Sequence, residues 1–215
     1  MEWLRDHYVC PKCGSIPRER ALLRVLTECF PGWRDQAIHE SSPGRPASEL
    51  LRRSCPGYLS THYFPDAPLG EEYRGSRNED LARQTLADDC FDIVITQDVM
   101  EHVLDPPVVF REIARTLKPS GCHVFTTPIY PQPKSEVRVI SRNGRIEYLA
   151  EPEYHDNPID LEGSLVTVRW GQDIGELIFE ACGMITTIHR TVDRSFGLDG
   201  EFLEVLVSRN PSAGS

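Results

Sequence analysis

Apolar residues along this chain form two kinds of run, one continuous and one with helical spacing. The run FDIVITQD (91–98) places three β-branched residues in succession, Ile93, Val94 and Ile95. A strand that is apolar at every position is buried on both faces, as in a parallel sheet covered by helices. The next run, PPVVFREIARTLKPSG, has Pro at its start and Pro-Ser-Gly at its end, which predicts a helix. CHVFTTP then predicts another strand.

Strand and helix patterns alternate four times between residues 36 and 128. A first strand covers Ala37 and Ile38, a helix starts near Ala47, and a second strand ends near His62. The carboxyl-terminal runs MITTIHRTV and EFLEVLVSRN predict two strands joined without a helix, so the last strand should be antiparallel. The sequence therefore predicts an α/β fold with a doubly wound, mostly parallel, seven-stranded sheet.

Two segments depart from that alternation. Residues 1–35 hold HYVCPKCG and the helical run IPRERALLRVLTECF, which predicts an N-terminal segment ahead of a main domain of residues 36–215. Residues 129–170 hold two short β runs around Asn143-Gly144, a dipeptide typical of a type I′ hairpin turn. We interpret residues 129–170 as an insertion that covers the substrate.

Composition narrows the class of protein. A chain of 215 residues with 40% hydrophobic content can bury one domain core, and its net charge of −10 argues against a broad nucleic-acid surface. There is no run of about 18 apolar residues, and the stretch MEWLRDHYVC is polar, so no membrane span or signal peptide is expected. Seven cysteines, an odd number, indicate reduced thiols and a cytoplasmic location.

The stretch ADDCFDIVITQDVMEHVLDPPVVFREIARTLKPSGCHVFTTP resembles the central block of class I S-adenosylmethionine-dependent methyltransferases. That family joins an FD-apolar strand, an E-H-V turn, a helix and an L-K-P-G-G turn. The resemblance covers roughly residues 36–128 and the last two strands, and is most specific from Phe91 to Gly121. It implies a Rossmann-like fold, S-adenosyl-L-methionine as cofactor and a small soluble molecule as methyl acceptor. A catalytically inactive module that binds the cofactor or a partner is the alternative. A nicotinamide-dependent oxidoreductase on a similar sheet is disfavoured by the missing G-x-G-x-x-G motif and by the antiparallel carboxyl-terminal pair.

Cofactor contacts are expected at the carboxyl ends of the strands, where open α/β sheets bind ligands. The turn after the first strand, ESSPG, has fewer glycines than the family's usual motif, and an ordinary polar turn is its alternative. His62 or Ser60 would replace the ribose-binding acid that many members place at the end of the second strand, and a partly buried loop histidine is the alternative for His62. The resemblance also implies that Asp80 and Leu81 contact the adenine, with Glu79 as the alternative carboxylate and a solvated helix-start Asp80 as the structural alternative. The predicted cofactor-binding residues are Glu40, Ser41, Ser42, Pro43, Gly44, His62, Asp80, Leu81, Gln97 and Asp98.

Three residues are candidates for catalysis. His102 follows the buried strand and could orient or deprotonate the acceptor, although the E-H pair is often structural in related sequences. His155 and Tyr154 lie in the polar and aromatic stretch EPEYHDNPIDLEG, which also holds Asp156 and Asn157. His155 is the first choice for a general base, and an exposed loop histidine without a role is its alternative.

Cys10 and Cys13 form a CxxC pair that could present two thiolates to one zinc ion. A complete site needs two more ligands, for which His7, Cys29, another chain or solvent are candidates. Free thiols are the alternative.

Overall fold

The computed structural model describes residues 4–44, 46–155 and 163–211. Its α-helices are α1 (Leu4–His7), α2 (Pro17–Cys29), α3 (Pro46–Ser54), α4 (Pro106–Thr116) and α5 (Ile174–Cys182), with 3-10 turns at Trp33–Asp35 and Arg194–Phe196. Its strands are β1 (Ile38–Ser41), β2 (Tyr58–His62), β3 (Glu72–Tyr73), β4 (Ser76–Asn78), β5 (Phe91–Gln97), β6 (Leu117–Thr126), β7 (Glu136–Val137), β8 (Val139–Arg142), β9 (Arg145–Tyr148), β10 (Tyr154–His155), β11 (Ser164–Leu165), β12 (Val168–Arg169), β13 (Ile185–His189) and β14 (Val205–Arg209).

The central sheet has the strand order β13-β14-β6-β5-β1-β2-β4-β3. The five strands from β6 to β4 are parallel, and β14 is antiparallel to both β6 and β13. This topology confirms the α/β prediction and its antiparallel carboxyl-terminal strand. The short edge strand β3 adds an eighth strand to the seven predicted. It forms because Arg74 and Gly75 adopt positive φ angles of 52° and 77° and make a tight turn into β4.

Two apolar clusters cover the two faces of the sheet. One cluster joins α2 to β1 and β5 through side chains such as Leu22, Ile38 and Ile93, and the other joins α4 and α5 to β5 and β6. Ile93, Val94 and Ile95 are fully buried, as a strand covered on both faces requires. Because α2 supplies part of one cluster, it packs directly against the sheet.

A buried carboxylate ties α2 to the first βα unit. Glu19 is fully buried, and its Oε2 accepts a hydrogen bond from the backbone N–H of Ile16 at 2.9 Å. Its Oε1 accepts another from the backbone N–H of Ala47 at 3.0 Å. One side chain thereby satisfies donors at the amino ends of both α2 and α3.

Residues 129–170 leave the sheet and return to it. Ile129 pairs with Trp170, and β8 and β9 form a hairpin in which Asn143 and Gly144 have φ angles of 52° and 74°, which confirms the type I′ turn. The backbone N–H of Thr167 donates to the carbonyl of Glu101 at 2.8 Å, so the returning chain lies against the turn after β5. Asp156 and Asn157 lie outside the described residues. No helix in the described part of the chain is long and apolar enough to cross a bilayer.

Candidate functional site

Glu40 links the carboxyl ends of neighbouring strands. Its carboxylate, 1% exposed, accepts hydrogen bonds from Ser48 Oγ at 2.8 Å, Tyr58 OH at 2.6 Å and Gln97 Nε2 at 2.8 Å. Burial raises the pKa of Glu40, against these hydrogen bonds, and burial likewise raises the pKa of Tyr58. The amide oxygen of Gln97 is buried and has no partner among the described residues. Glu40 therefore positions an amide that still has a free acceptor atom.

The turn after β1 makes its bend without the family's usual glycines. Ser42 adopts a φ of 59°, and its backbone N–H donates to the carbonyl of Thr61 at 2.8 Å. Ser41 and Pro43 are buried, whereas a side chain added at Gly44 would meet nothing within 4 Å. Apart from its chain neighbours, no described residue would therefore contact a side chain at Gly44.

His62 ends β2 and is half-buried. Burial lowers the pKa of its imidazole, and its ring centroid lies 6.0 Å from that of Phe64. A neutral imidazole at this strand end has one donor and one acceptor to offer a ligand.

Asp80 caps its own turn. Its Oδ1 accepts from the backbone N–H of Ala82 at 2.9 Å, and its Oδ2 lies 3.1 Å from Arg83 Nε. Leu81 is 7% exposed and belongs to one apolar cluster. The alternative carboxylate, Glu79, is buried and bound by neighbouring groups. An adenine amino group at Asp80 would therefore compete with Arg83 for the carboxylate.

Asp98 is held by two arginines from the N-terminal segment. Arg5, 2% exposed, donates from both Nη atoms to the two carboxylate oxygens, and Arg18 Nε lies 3.1 Å from Oδ2. Thr126 Oγ1 adds a third donor at 3.0 Å. Burial alone would raise the pKa of Asp98, but the two guanidinium groups hold it well below its usual range. A cofactor contact to Asp98 would have to displace one of these donors.

Glu101 lies one turn further along and has a different environment. Its side chain is buried, its Oε2 accepts from Thr127 Oγ1 at 3.0 Å, and its Oε1 has no hydrogen-bond partner in the described part of the chain. Burial, assisted by the charge of Asp98, raises the pKa of Glu101 to about 7. Among the residues that the structure describes, no Arg or Lys forms an ion pair with this carboxylate, in contrast to Asp98.

His102 and His155 meet beside Glu101. Their ring centroids are 5.3 Å apart with the rings nearly perpendicular, and one potential ligand atom from each of the three side chains lies within 4.8 Å of the others. His102 Nδ1 lies 2.9 Å from the carbonyl oxygen of Leu165, and burial lowers the pKa of its imidazole. Tyr154, the neighbour of His155 on β10, is 52% exposed and outside this cluster. The structure therefore brings together two of the three predicted catalytic residues.

Cys10 and Cys13 are close to each other. Backbone hydrogen bonds from Cys13 and Lys12, together with the thiol of Cys13, lower the pKa of Cys10. Within the described ranges, no third His, Cys, Asp or Glu joins the pair to make a group like Glu101, His102 and His155. Zinc at the CxxC pair stays a prediction that depends on ligands from another chain or solvent.

Arg5, Arg18 and Glu101 are parts of this site that the sequence analysis did not assign. Arg5 and Arg18 carry no signal of their own in the sequence, because their pairing with Asp98 spans 93 and 80 positions. Glu101 did carry a signal, since it lies three residues after Asp98 and directly before His102.

Residues 63–125 match the family model described as a methyltransferase domain. A ubiquinone biosynthesis O-methyltransferase of Marinobacter nauticus is 41% identical over 64 residues, which cover 30% of this chain and 26% of that protein. A dimethylglycine N-methyltransferase of Parasynechococcus marenigrum is 46% identical over 44 residues, 20% of this chain and 16% of that protein. The chain thus matches about a quarter or less of the length of these relatives.

Two solved structures share the architecture over most of the chain. A methyltransferase of Mesorhizobium loti has a TM-score of 0.57 at 17% identity, covering 88% of this chain and 97% of that chain. The 1,6-didemethyltoxoflavin-N1-methyltransferase of Burkholderia thailandensis, solved with S-adenosylhomocysteine, has a TM-score of 0.56 at 12% identity, covering 91% and 79%. The two solved structures share the fold of this chain, and residues 63–125 carry a segment that matches the methyltransferase domain family.

Proposed function

We propose that the protein transfers a methyl group from S-adenosyl-L-methionine to a small soluble acceptor. The observation that carries this proposal is the edge of the sheet where β1, β2 and β5 end. There, Gln97 presents a buried amide oxygen without a partner among the described residues, and Gly44 is exposed, with no described residue beyond its chain neighbours within reach of an added side chain. A buried acceptor atom of this kind is costly unless a ligand donor satisfies it.

The cofactor would lie across this edge. We assign its contacts to Glu40, the turn 41–44, His62, Asp80 with Leu81, and the strand end at Gln97 and Asp98. Of these, Gln97 and the turn offer direct contacts. Glu40 and Asp98 act through the groups they hold, since their oxygens already accept several hydrogen bonds.

The acceptor would lie on the side of His102 and His155. Residues 164–170 return the insertion to the turn after β5, and this path places the two histidines near each other. A neutral imidazole there can accept a proton from the acceptor, and Tyr154 would border the entrance. The relatives include an O-methyltransferase and an N-methyltransferase, so the choice of acceptor atom depends on the groups at this site.

The alternative is a catalytically inactive module that binds the cofactor or a partner. It is favoured by the pairing of Asp98 with Arg5 and Arg18, because a carboxylate that is already held by two guanidinium groups has less capacity to bind a ligand. The proposed enzyme and a cofactor-binding module both require S-adenosylhomocysteine to bind, whereas a module that binds only a partner does not. They differ in turnover of S-adenosylmethionine with a panel of hydroxyl, amine and thiol acceptors, which the inactive module would lack.

Calorimetric titration with S-adenosylhomocysteine tests the cofactor assignment. Asp80→Ala should weaken binding by about 1–3 kcal/mol if a buried hydrogen bond to the adenine is lost. Asp35→Ala, an exposed aspartate in the 3-10 turn before β1, is the matched control and should bind like the wild type. Equal affinity in Asp80→Ala and wild type would remove Asp80 from the site, and NAD binding in place of S-adenosylhomocysteine would reject the proposed function.

A further inference from the structure

We infer that Glu101, His102 and His155 bind a divalent transition-metal ion at the acceptor side of the crevice. One carboxylate oxygen and two imidazole nitrogens lie within 4.8 Å of one another. A metal ion could draw these three side chains together with small movements, because its bonds to nitrogen and oxygen are about 2.0–2.2 Å long.

The state of Glu101 provides independent support for a ligand at this place. The residue is 2% exposed, and its Oε1, which has no hydrogen-bond partner in the described ranges, lies 4.0 Å from His102 Nε2. Thr127 engages the other oxygen and so orients the carboxylate. An unsatisfied buried oxygen facing a ring nitrogen is well placed to share a cation with it.

His102 is oriented as a metal ligand needs to be. A carbonyl oxygen can only accept, so the contact of Nδ1 with Leu165 fixes the hydrogen on Nδ1 and leaves the lone pair on Nε2. A backbone partner of this type commonly fixes the tautomer of a ligating histidine. Glu153 Oε1 lies 3.7 Å from Nε2 of the half-buried His155 and could orient that ring.

The ligand set indicates the class of ion. Two imidazoles with one carboxylate suit Mn²⁺, Co²⁺ or Zn²⁺ better than Mg²⁺, which prefers oxygen ligands and water. Three protein ligands also leave positions open for a further oxygen ligand, as in catalytic rather than structural sites. The cluster is therefore distinct in chemistry from the two thiols at Cys10 and Cys13.

A metal ion here would favour a hydroxyl acceptor, an extension that rests on the proposed function. With the ion bound, the two imidazoles would serve as its ligands instead of as bases, and a hydroxyl bound to the ion would lose its proton to solvent more easily. Its oxygen then forms a bond to the methyl carbon, while the carbon–sulfur bond breaks and its electron pair stays on sulfur. The products are a methyl ether, neutral S-adenosylhomocysteine and a released proton.

Direct binding of Mn²⁺, measured by electron paramagnetic resonance on chelator-treated protein, tests the site. Mn²⁺ is the probe because thiolates bind it poorly, so Cys10 and Cys13 do not contribute. Glu101→Gln and His155→Gln should each weaken Mn²⁺ binding more than about tenfold, because loss of a group that only orients a metal ligand already costs about 10–100-fold in affinity. His189→Gln, a half-buried histidine at the end of β13, is the matched control and should bind like the wild type.

Cofactor binding is measured on the same samples, so that loss of the metal site can be distinguished from loss of folding. His155→Gln should keep its affinity for S-adenosylhomocysteine, which shows that the variant is folded. Loss of Mn²⁺ in the variants with cofactor binding intact supports the site. Absence of Mn²⁺ from wild-type protein that binds S-adenosylhomocysteine, or equal Mn²⁺ binding in all variants, would overturn it. Mn²⁺ binding without cofactor binding would instead reject the proposed function and leave the metal site standing.

Discussion

Asp98 and Glu101 are two carboxylates three residues apart with opposite surroundings. Arg5, Arg18 and Thr126 engage both oxygens of Asp98, and its pKa is held well below its usual range. Glu101 has one hydroxyl donor, and burial raises its pKa to about 7. A buried charge with its partners in place is part of the architecture, whereas one without them is a candidate for ligand binding. The two arginines of the N-terminal segment pair with Asp98 and not with Glu101, and this pairing makes the two carboxylates different.

The largest effect is expected when Asp98 loses its main partner. Arg5→Ala leaves a buried carboxylate with an incomplete set of cations, and we expect a loss of about 3–5 kcal/mol in the free energy of unfolding, measured in urea. Arg24→Ala is the control, because Arg24 pairs with Asp193 at the surface and should change stability far less.

A double variant separates the charge of Arg5, which pairs with Asp98, from the volume that its side chain fills. Arg5→Met with Asp98→Asn removes both charges and keeps most of the volume, so it should recover much of the lost stability. If Arg5→Ala costs no more than Arg24→Ala, Asp98 does not depend on Arg5 and the contrast with Glu101 fails.

Local patterns predicted the elements of this fold because each depends on neighbouring residues. The buried strand at Ile93–Ile95, the helix after it and the Asn143-Gly144 turn were all confirmed. Edge strand β3 was missed, since two exposed residues provide too short a pattern.

The site was less predictable because its contacts are long-range. His102 and His155 were chosen for their residue type and position, but nothing in the sequence places them together. Their proximity depends on the path of the insertion, which pairs β10 with β11 and brings Leu165 to His102. The pairing of Arg5 with Asp98 likewise depends on how α1 packs.

Two buried histidines inside the sheet each have one ring nitrogen without a hydrogen-bond partner among the described residues, and they lie outside the cluster of Glu101, His102 and His155. His39 Nε2 lies 2.9 Å from Thr61 Oγ1, and His123 Nε2 lies 2.9 Å from Thr96 Oγ1, while both Nδ1 atoms have no partner among the described residues. Burial lowers the pKa of His39 to about 4 and that of His123 to about 3. Both rings are therefore neutral in the folded protein.

Acid should destabilise the protein through these histidines. The unfolded chain takes up protons near pH 6.5 whereas the folded sheet does not, so stability is complete above that pH and is lost as pH falls toward the folded pKa values. Between pH 7 and pH 5 each histidine should cost about 1–2 kcal/mol in urea unfolding. His39→Gln and His123→Gln should reduce the pH dependence, and slopes equal to that of the wild type would show that neither ring is kept neutral.

The smallest effect compares two adjacent threonines. Thr126 and Thr127 are both fully buried, and each donates to a carboxylate at 3.0 Å, the first to Asp98 and the second to Glu101. Thr127→Val should cost about 1 kcal/mol because Glu101 loses its hydroxyl donor. Thr126→Val should cost less, since two guanidinium groups still hold Asp98. Thermal unfolding of the pair measures the difference, and the reverse order would contradict the proposed contrast.

Glu19 has a consequence for how the chain can be divided. Its two oxygens hold the first turns of α2 and α3, and α2 contributes Leu22 and Leu26 to the cluster on one face of the sheet. Cutting the chain at residue 36 would leave the N–H of Ala47 unsatisfied and expose that face to water. We therefore expect the N-terminal helix and the sheet to unfold as one cooperative unit, so that proteolytic cleavage near residue 36 releases unfolded chain and not a stable smaller domain.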